Sequence, residues 1–322
     1  MRSTRSRFLP ATLLLVGAIA LVPVVGGNTA LRESLFLVLV AVTLATSVNL
    51  VMGYSGYVSF GNIVFFGLGG YVAFWLMRVG GVHFLPAALA GVIPSVLLAV
   101  LIGLPVLRLR GAYFALATIG INEAVRAFMT NFDPFGGSVG MFFSASAYAP
   151  YGGARGAADL AYLVMAGVTL LAIATSWAVK TSTFGLALMT IREDQDVADV
   201  MGINPARMKL AAYALSAVFP ALAGAAFFFK NGIIEPSSAF DLNRSIESLV
   251  MVALGGIGTV TGPLIGGSLY QWLRSVLITN PLFANIQLVV AGLLLLAVVQ
   301  LAPSGLVGLL VRRARVLRGA LQ

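Results

Sequence analysis

KTSTFGLALMTIREDQDVADVMGINPARMK, residues 180–209, is a charged segment between two long apolar stretches. Thr190 and Glu193 have the Thr-x-x-Glu spacing of a capping box, in which each side chain bonds to the other residue's backbone N–H. Gly202 supplies a helix stop signal. The pattern therefore predicts a single short amphipathic helix of about three turns over residues 191–201.

The predicted helix has one narrow apolar face, and its acidic residues lie off that face. Val197, Val200 and Met201 follow the i, i+3, i+4 spacing that places residues on one side of a helix. Arg192 reaches Asp196 at the i+4 spacing of a helical ion pair. The face suits either the membrane surface or another protein. Because acidic residues are repelled by an anionic leaflet, we expect a groove on a partner protein.

The composition places the chain among polytopic membrane proteins. Of its 322 residues 59% are hydrophobic and 10% are charged, whereas a soluble domain has roughly a quarter charged residues. About ten hydrophobic segments occur, some shorter than the ~20 residues that a spanning helix needs. We expect an all-α polytopic integral membrane protein with one transmembrane domain over residues 1–322. The first segment, residues 8–25, is long for a cleaved signal peptide, so we expect a retained span.

Residue counts exclude several classes of site. The chain has no cysteine and one histidine, so it has no disulfide framework and no cysteine or histidine metal cluster. It also lacks a phosphate-binding loop and a nucleophile elbow, so we expect neither a catalytic site nor a cofactor in this chain. The net charge of +9 comes from arginines at the chain ends and in short loops. This distribution is typical of membrane topology signals rather than of a nucleic-acid surface.

The basic residues predict the orientation of the chain in the bilayer. An even number of predicted spans separates the basic N-terminus, the loop with Arg108 and Arg110, the loop at 181–208 and the basic tail at 311–322. Because basic loops stay on the cytoplasmic side, we expect all four there, including both chain ends. The polar, glycine-rich loop at 131–157 is then outside.

Two glycine-rich breaks interrupt apolar segments. The first break is GYSGYVSFGN at residues 53–62, and the second break is GGIGTVTGP at residues 255–263. Irregular backbone at membrane depth survives only inside protein or beside a wet cavity, so we expect broken or re-entrant helices along a translocation path. A tight loop with small-residue packing is the alternative. The predicted path residues are Asn49, Gly53, Ser55, Gly56, Tyr57, Ser59, Phe60, Gly61, Asn62, Gly255, Gly256, Gly258, Thr259 and Gly262.

Short similar sequences flank both breaks, for example Leu-Val-Met at 50–52 and at 249–251, each just before its break. Internal repeats, including inverted ones, are common in transporter folds. Such short matches also arise by chance in apolar sequence. An inverted repeat is therefore one of two explanations that the sequence leaves open.

Two pairs of opposite charges lie within apolar segments. Glu123 and Arg126 are spaced i, i+3, and so are Arg244 and Glu247. Charges inside a span usually pair, so we expect each to form a structural ion pair near the outer interface. A proton or ion relay is the alternative, but an opposite charge one turn away holds an acid ionised.

Four ordered motifs resemble those of one family, the branched-chain amino acid ABC transporter permeases of the M type. They are NLVMGYSGYVSFG at 49–61, LRLRGAYFA at 107–115, GLALMTIREDQDVADVMGIN at 185–204 and MVALGGIGTVTGPLIGG at 251–267. The chain departs from the family pattern at Tyr57, where glutamine is common. It also departs at Thr190 and Gln195, where alanine and glutamate are common.

The resemblance implies an inner-membrane permease subunit of an ATP-binding-cassette importer, in the lipid bilayer beside a homologous second permease. Two ATPase subunits would carry the ATP and magnesium, and a solute-binding protein would deliver substrate from outside. The helix in the charged segment would then be the coupling helix that the ATPase moves. The coupling residues would be Gly185, Ile191, Arg192, Glu193, Asp194, Asp196, Val197, Ala198, Val200, Met201 and Gly202.

The substrate implied by the resemblance is a branched-chain or related amino acid, with urea and short amides as alternatives. An apolar substrate side chain would suit a cavity lined by Phe60, Phe65 and Phe66. A competing hypothesis from another class is an ion-coupled secondary transporter that uses Glu123 or Glu247.

Overall fold

The computed structural model describes residues 28–279, 289, 292 and 305–308, and these residues are mainly helical. The predicted all-α class is thereby confirmed for the described part of the chain. The predicted first span at 8–25 and the basic tail at 311–322 lie outside the described residues. Most of the predicted last span, 286–301, does so too.

Eleven helices follow one another along residues 29–279. They are α1 Thr29–Ser55, α2 Asn62–Gly80, α3 Phe84–Val106, α4 Ala112–Thr130, α5 Gly153–Thr181, α6 Thr183–Glu193, α7 Gln195–Val200, α8 Pro205–Asn231, α9 Pro236–Ala239, α10 Leu242–Gly255 and α11 Gly262–Thr279. Among the described residues, five helices are long and apolar enough to cross a membrane: α1, α2, α3, α5 and α8.

One loop between α4 and α5 has its own local structure. It contains the 3-10 helices Asp133–Phe135 and Ala145–Tyr151, and the strand β1, Met141–Phe142. β1 pairs antiparallel with β2, Ile233–Ile234, just after α8. Because α5 begins at Gly153, the predicted loop at 131–157 ends earlier than expected.

Helix α8 lies at the centre of the core and packs against α1, α2, α3 and α5. Small residues allow this close approach, since a side chain at Gly224 would collide with the carbonyl oxygen of Phe66. The Phe66 ring packs against the rings of Phe227 and Phe228, at centroid distances of 5.6 and 5.3 Å. Phe65 and Phe66 are both buried in the packed bundle, and their place in a substrate cavity stays a prediction.

Ion pairs mark the two ends of the bundle. At one end, the start of α1 binds two neighbouring helices through the pairs Arg32–Asp159 and Glu33–Lys230. We call this the opposite end. The other end carries the charged segment, and there Arg110 pairs with Asp196. We call it the charged end. The prediction that Arg110 and the charged segment lie on the same side is thus confirmed.

The first break returns the chain into the bundle. Helix α1 ends at Gly56, whose φ of +78° is left-handed and whose N–H donates to Met52 O. Helix α2 begins at Asn62, whose Oδ1 accepts a 3.0 Å hydrogen bond from Ser47 Oγ. Ser47 lies about two turns before the end of α1. The residues between the helices therefore run back beside α1, and α2 starts inside the bundle, as a broken segment was predicted to do.

Candidate functional site

The charged segment contains two helices where the sequence predicted one. Helix α6 ends at Glu193, and the extended Asp194 (φ −157°) separates it from α7. The Asp194 carboxylate accepts hydrogen bonds from Asp196 N (2.9 Å) and Val197 N (3.1 Å), so it is the N-cap of α7. Thr190 lies inside α6 and donates to a carbonyl of the preceding turn. The predicted capping box is therefore wrong, because aspartate is an even better N-cap than threonine.

The start of α6 is fixed by a sharp turn after α5. Ser182 Oγ accepts a 3.2 Å hydrogen bond from Gly185 N and caps the helix. Gly185 lies so close to the Val179 carbonyl that any side chain there would collide with it. The predicted coupling residue Gly185 thus sets the angle at which the charged segment leaves the bundle.

The predicted ion pair between Arg192 and Asp196 is absent from the described contacts, because the kink at Asp194 turns α7 away from α6. Asp196 Oδ1 instead accepts a 3.0 Å hydrogen bond from Arg110 Nη2. This hydrogen bond raises the pKa of the exposed Arg110 guanidinium. Arg192 Nη1 donates to Gly53 O at 2.7 Å, which links α6 to the first break.

The apolar face of α7 points out of the bundle. Val197, Val200 and Met201 are 51%, 90% and 68% exposed, while Ala198 is buried against the bundle. Gly202 ends the helix with a φ of +82°. Exposed acids surround the face, namely Glu193, Asp194, Asp196 and Asp199. The described part of the chain leaves this face available to a partner.

Three cations at the borders and centre of the charged segment each bind a backbone carbonyl. Two acceptors lie in the last turn of α1 and at the end of α3, where carbonyls lack intrahelical partners and carry the negative end of the helix dipole, and the third lies in the second break after α10. The pairs are Arg192 Nη1 with Gly53 O (2.7 Å), Lys209 Nζ with Leu107 O (2.9 Å) and Lys180 Nζ with Gly258 O (3.1 Å). The charged segment is thereby bonded to the ends of two helices and to the second break.

The two glycine breaks contact each other at the charged end, where Gly53 lies against Gly258. Asn49 is completely buried on α1, and its Oδ1 accepts from Gly258 N at 2.9 Å. Its Nδ2 donates to Thr259 O, also at 2.9 Å. Gly53 also lies against Gly258, since a Cβ at Gly53 would meet Gly258 N at 2.8 Å. A single asparagine amide thus holds the second break against the helix that leads into the first.

The first break lines a cavity of ≈ 380 Å³ at the charged end. Its lining includes Ser55, Gly56 and Tyr57 together with Arg192 and Gln195 of the charged segment. The other polar side chains of this break are bonded within the bundle, since Ser59 Oγ accepts from Gly61 N and Asn62 Oδ1 from Ser47. Phe60 N donates to Thr118 Oγ1, and Phe60 O accepts from Ser245 Oγ.

Within the second break, the side chain of Thr259 closes the turn. Thr259 Oγ1 donates to Gly256 O and accepts from Gly262 N, which closes the turn between α10 and α11. Gly255 is the last residue of α10, and Gly256 has a φ of +131°. A path role for the residues of both breaks stays a prediction.

Comparison with known proteins places the chain. Residues 30–299 match the family described as branched-chain amino acid transport system / permease component. The chain belongs to this family. The chain is 30% identical over 247 residues to the high-affinity branched-chain amino acid transport system permease protein LivM of Salmonella typhimurium, covering 69% of the chain and 57% of LivM.

Two further relatives agree with this placement. LivM of Escherichia coli is 28% identical over 246 residues, covering 69% of the chain and 58% of the relative. LivH of Escherichia coli, another high-affinity branched-chain amino acid permease protein, is 30% identical over 142 residues, which are 44% of the chain and 45% of LivH. The chain thus matches less than three fifths of the length of these relatives. No solved structure matches it.

Two of the three motif departures, Tyr57 and Gln195, are in direct contact. Tyr57 Oη donates to Gln195 Oε1 at 3.0 Å, and the buried Lys209 Nζ donates to both side chains, at 2.9 and 3.1 Å. Neither Gln195 nor Lys209 was among the predicted site residues. A signal for Lys209 exists in the sequence, since it is a lysine at the start of an apolar span, but a snorkelling lysine looks the same.

One of the two predicted ion pairs is confirmed. Glu123 and Arg126 approach to 3.5 Å on α4, with about half of each side chain exposed. The pair between Arg244 and Glu247 is wrong, because α11 brings Arg274 Nη1 to 3.2 Å from Glu247 Oε2. Arg244 lies instead over the ring of Phe227, 4.6 Å from its centroid.

Proposed function

We propose that this chain is a transmembrane permease subunit of an ATP-binding-cassette importer that moves branched-chain or related amino acids inward. Its family membership and the names of its LivM relatives support the substrate class. The structural observation that carries the proposal is the exposed apolar face of α7, with Val200 90% exposed. This face stands on a segment that is bonded to both glycine breaks.

The proposal assigns each partner to one end of the bundle. An ATPase subunit docks at the charged end, where the apolar face of α7 enters its groove and the surrounding acids meet basic residues of the rim. A homologous second permease completes the path, and a second ATPase docks beneath it. ATP and magnesium belong to the ATPase subunits. A solute-binding protein docks at the opposite end, beside the loop that contains β1.

The same assignment defines the membrane orientation. The charged end faces the cytoplasm of a bacterial cell, because it carries Arg108, Arg110 and Arg207 as well as Lys209. The opposite end then faces outward in the inner membrane. Both chain ends are cytoplasmic in this orientation.

The docking surface is tested by placing a charge on it. The permease is coexpressed with its ATPase, second permease and solute-binding protein, and Val200→Asp is compared with Val139→Asp. Val139 is 67% exposed in the loop at the opposite end, away from the proposed ATPase surface, so it is the control for ATPase copurification. We expect Val200→Asp to lower ATPase copurification and uptake about tenfold while membrane insertion is unchanged. Normal ATPase copurification with Val200→Asp would contradict the docking surface.

The transport class and substrate are tested in proteoliposomes with ATP inside. We expect uptake of labelled leucine that depends on ATP and on the solute-binding protein. Uptake of labelled urea without leucine uptake would contradict the substrate class. If leucine uptake stopped on dissipation of the proton gradient while ATP stayed high, the ion-coupled transporter would be correct instead.

A further inference from the structure

Helix α8 carries a buried cation at the charged end that the docking surface does not require. Lys209 is only 3% exposed, although it lies close to the cytoplasmic end of the bundle. No carboxylate of the described residues forms a salt bridge with it. Burying a charge is costly unless it is paired or fully hydrogen-bonded, so this lysine needs its neutral partners.

The three acceptors of Lys209 come from three different parts of the chain. Nζ donates to Tyr57 Oη in the first break (2.9 Å), to Leu107 O at the end of α3 (2.9 Å) and to Gln195 Oε1 at the start of α7 (3.1 Å). A lysine ammonium has three donors, and all three are used here. The ammonium therefore joins the helix with the exposed apolar face to the first break.

The side chain of Tyr57 is held on several sides at once. Lys209 Nζ lies 4.3 Å from the centroid of its ring, and the edge of that ring meets Phe114 at a centroid distance of 5.2 Å. Its hydroxyl accepts from Lys209 and donates to Gln195 at 3.0 Å. Tyr57 cannot change its position independently of Gln195 without loss of these bonds.

The cluster of Tyr57, Gln195 and Lys209 also separates two cavities at the charged end. Tyr57 and Gln195 line the cavity of ≈ 380 Å³ beside the first break. Gln195 and Lys209 line a second cavity of ≈ 510 Å³ between α3, α7 and the start of α8. Movement of the cluster therefore changes the wall between the two cavities.

Lys209 and Arg192 both link the charged segment to the first break, but only Lys209 is buried. Arg192 also donates to the first break, at Gly53 O, but Arg192 is exposed, so water can replace that acceptor when the segment moves. Water replaces the acceptors of Lys209 less readily. A buried donor that loses its partner carries the full cost of desolvation, so the acceptors of Lys209 have to move together.

We propose that Lys209 is a positioning residue that transmits the movement of α7 to the first break through Gln195 and Tyr57. Because the movement originates in an ATPase bound to α7, this role rests on the proposed function. When the ATPase displaces α7, Gln195 moves with it, and the shared ammonium carries Tyr57 and the wall of the cavity along. Lys209 contacts no substrate in this role and acts only through the other two side chains.

The test measures coupling rather than stability. The complete transporter is reconstituted with Lys209→Met, which keeps the length of the side chain and removes the ammonium. We expect assembly and ATP hydrolysis to persist, while the number of leucine molecules taken up per ATP falls about tenfold. The matched control is Lys230→Met at the other end of α8. Lys230 also lies over an aromatic ring, 4.6 Å from the centroid of Phe36, and we expect an unchanged uptake per ATP.

Two milder variants decide the question if Lys209→Met does not assemble. Tyr57→Phe keeps the ring and removes only the hydroxyl, and we expect uptake per ATP to fall about threefold. Gln195→Glu keeps an acceptor beside the ammonium, and we expect it to preserve coupling. Wild-type uptake per ATP in an assembled Lys209→Met complex, or otherwise in Tyr57→Phe, overturns the proposed role of Lys209. Absence of ATP-driven uptake in the wild type overturns the proposed function itself.

Discussion

The two ends of the bundle hold their cations in different ways. At the opposite end, Arg32 and Lys230 each bind a carboxylate of a neighbouring helix. At the charged end, Lys180, Arg192 and Lys209 bind backbone carbonyls. The exposed pair of Arg110 with Asp196 is the exception there.

Ion pairs thus clamp one end, whereas the other end leaves the apolar face of α7 exposed. Ion pairs between neighbouring helices join α1 to α5 and α8 at the opposite end. At the charged end, the use of carbonyl acceptors leaves Glu193, Asp194 and Asp199 exposed around the apolar face of α7. The same cations also bind carbonyls of both breaks, and we propose that a displacement of the charged segment reaches the breaks through these bonds.

The largest expected effect comes from the amide that joins the two breaks at the charged end. Asn49→Ala leaves Gly258 N and Thr259 O without their partner inside the bundle. We expect a loss of about 2–4 kcal/mol in the free energy of unfolding and a loss of uptake. The measurement is thermal or denaturant unfolding in detergent, with Asn131→Ala, an exposed amide at the opposite end, as the control. Equal losses in the two variants would contradict the special role of Asn49.

The second-largest effect is expected at the ion pair of Arg32 with Asp159 at the opposite end. Arg32→Gln removes a cation whose side chain is only 13% exposed and leaves Asp159 without it. We expect a loss of about 1–2 kcal/mol in unfolding free energy, because the pair is only partly shielded from water. Uptake per ATP by the surviving protein should stay at the wild-type value. A lower uptake per ATP would show that this end also takes part in coupling.

Two glycines with similar backbone conformations, one at each end of the bundle, distinguish an effect on stability from an effect on ATPase binding. Gly202 at the charged end and Gly81 at the opposite end have φ values of +82° and +61°, and nothing lies near the position of a Cβ at either. We expect each substitution by alanine to cost about 1 kcal/mol, because only the left-handed backbone opposes it. ATPase copurification should fall for Gly202→Ala alone, since Gly202 ends α7 beside the exposed apolar face. Equal copurification would remove the distinction between the ends.

The smallest effect is expected at the exposed pair of Arg110 and Asp196. Both side chains are more than half exposed, at 62% and 78%. Arg110→Gln should therefore leave the unfolding midpoint unchanged within error, at low and at high salt. A clear loss that disappears in high salt would show that the pair contributes more than its exposure indicates.

Local signals in the sequence were sufficient to predict the long apolar helices and the two glycine breaks. The first break was predicted because Gly56 and Gly61 interrupt an apolar stretch, and a left-handed C-cap is a property of a few consecutive residues. The sequence was less informative where two neighbouring residues compete to cap a helix. Thr190 and Asp194 are both good N-cap residues four positions apart, and the sequence pattern favoured the first while the structure has the second.

The sequence by itself determined an apolar helical bundle, two glycine breaks and a charged segment with an apolar face at Val197, Val200 and Met201. These follow from hydrophobicity and backbone preference, which act over a few residues. Only the tertiary structure decided that Asn49 bonds to Gly258, 209 positions along the chain, and that Lys209 bonds to Tyr57, 152 positions away. Such partners are chosen by the packing of whole helices, which brings distant polar groups within hydrogen-bond distance where no water can replace them.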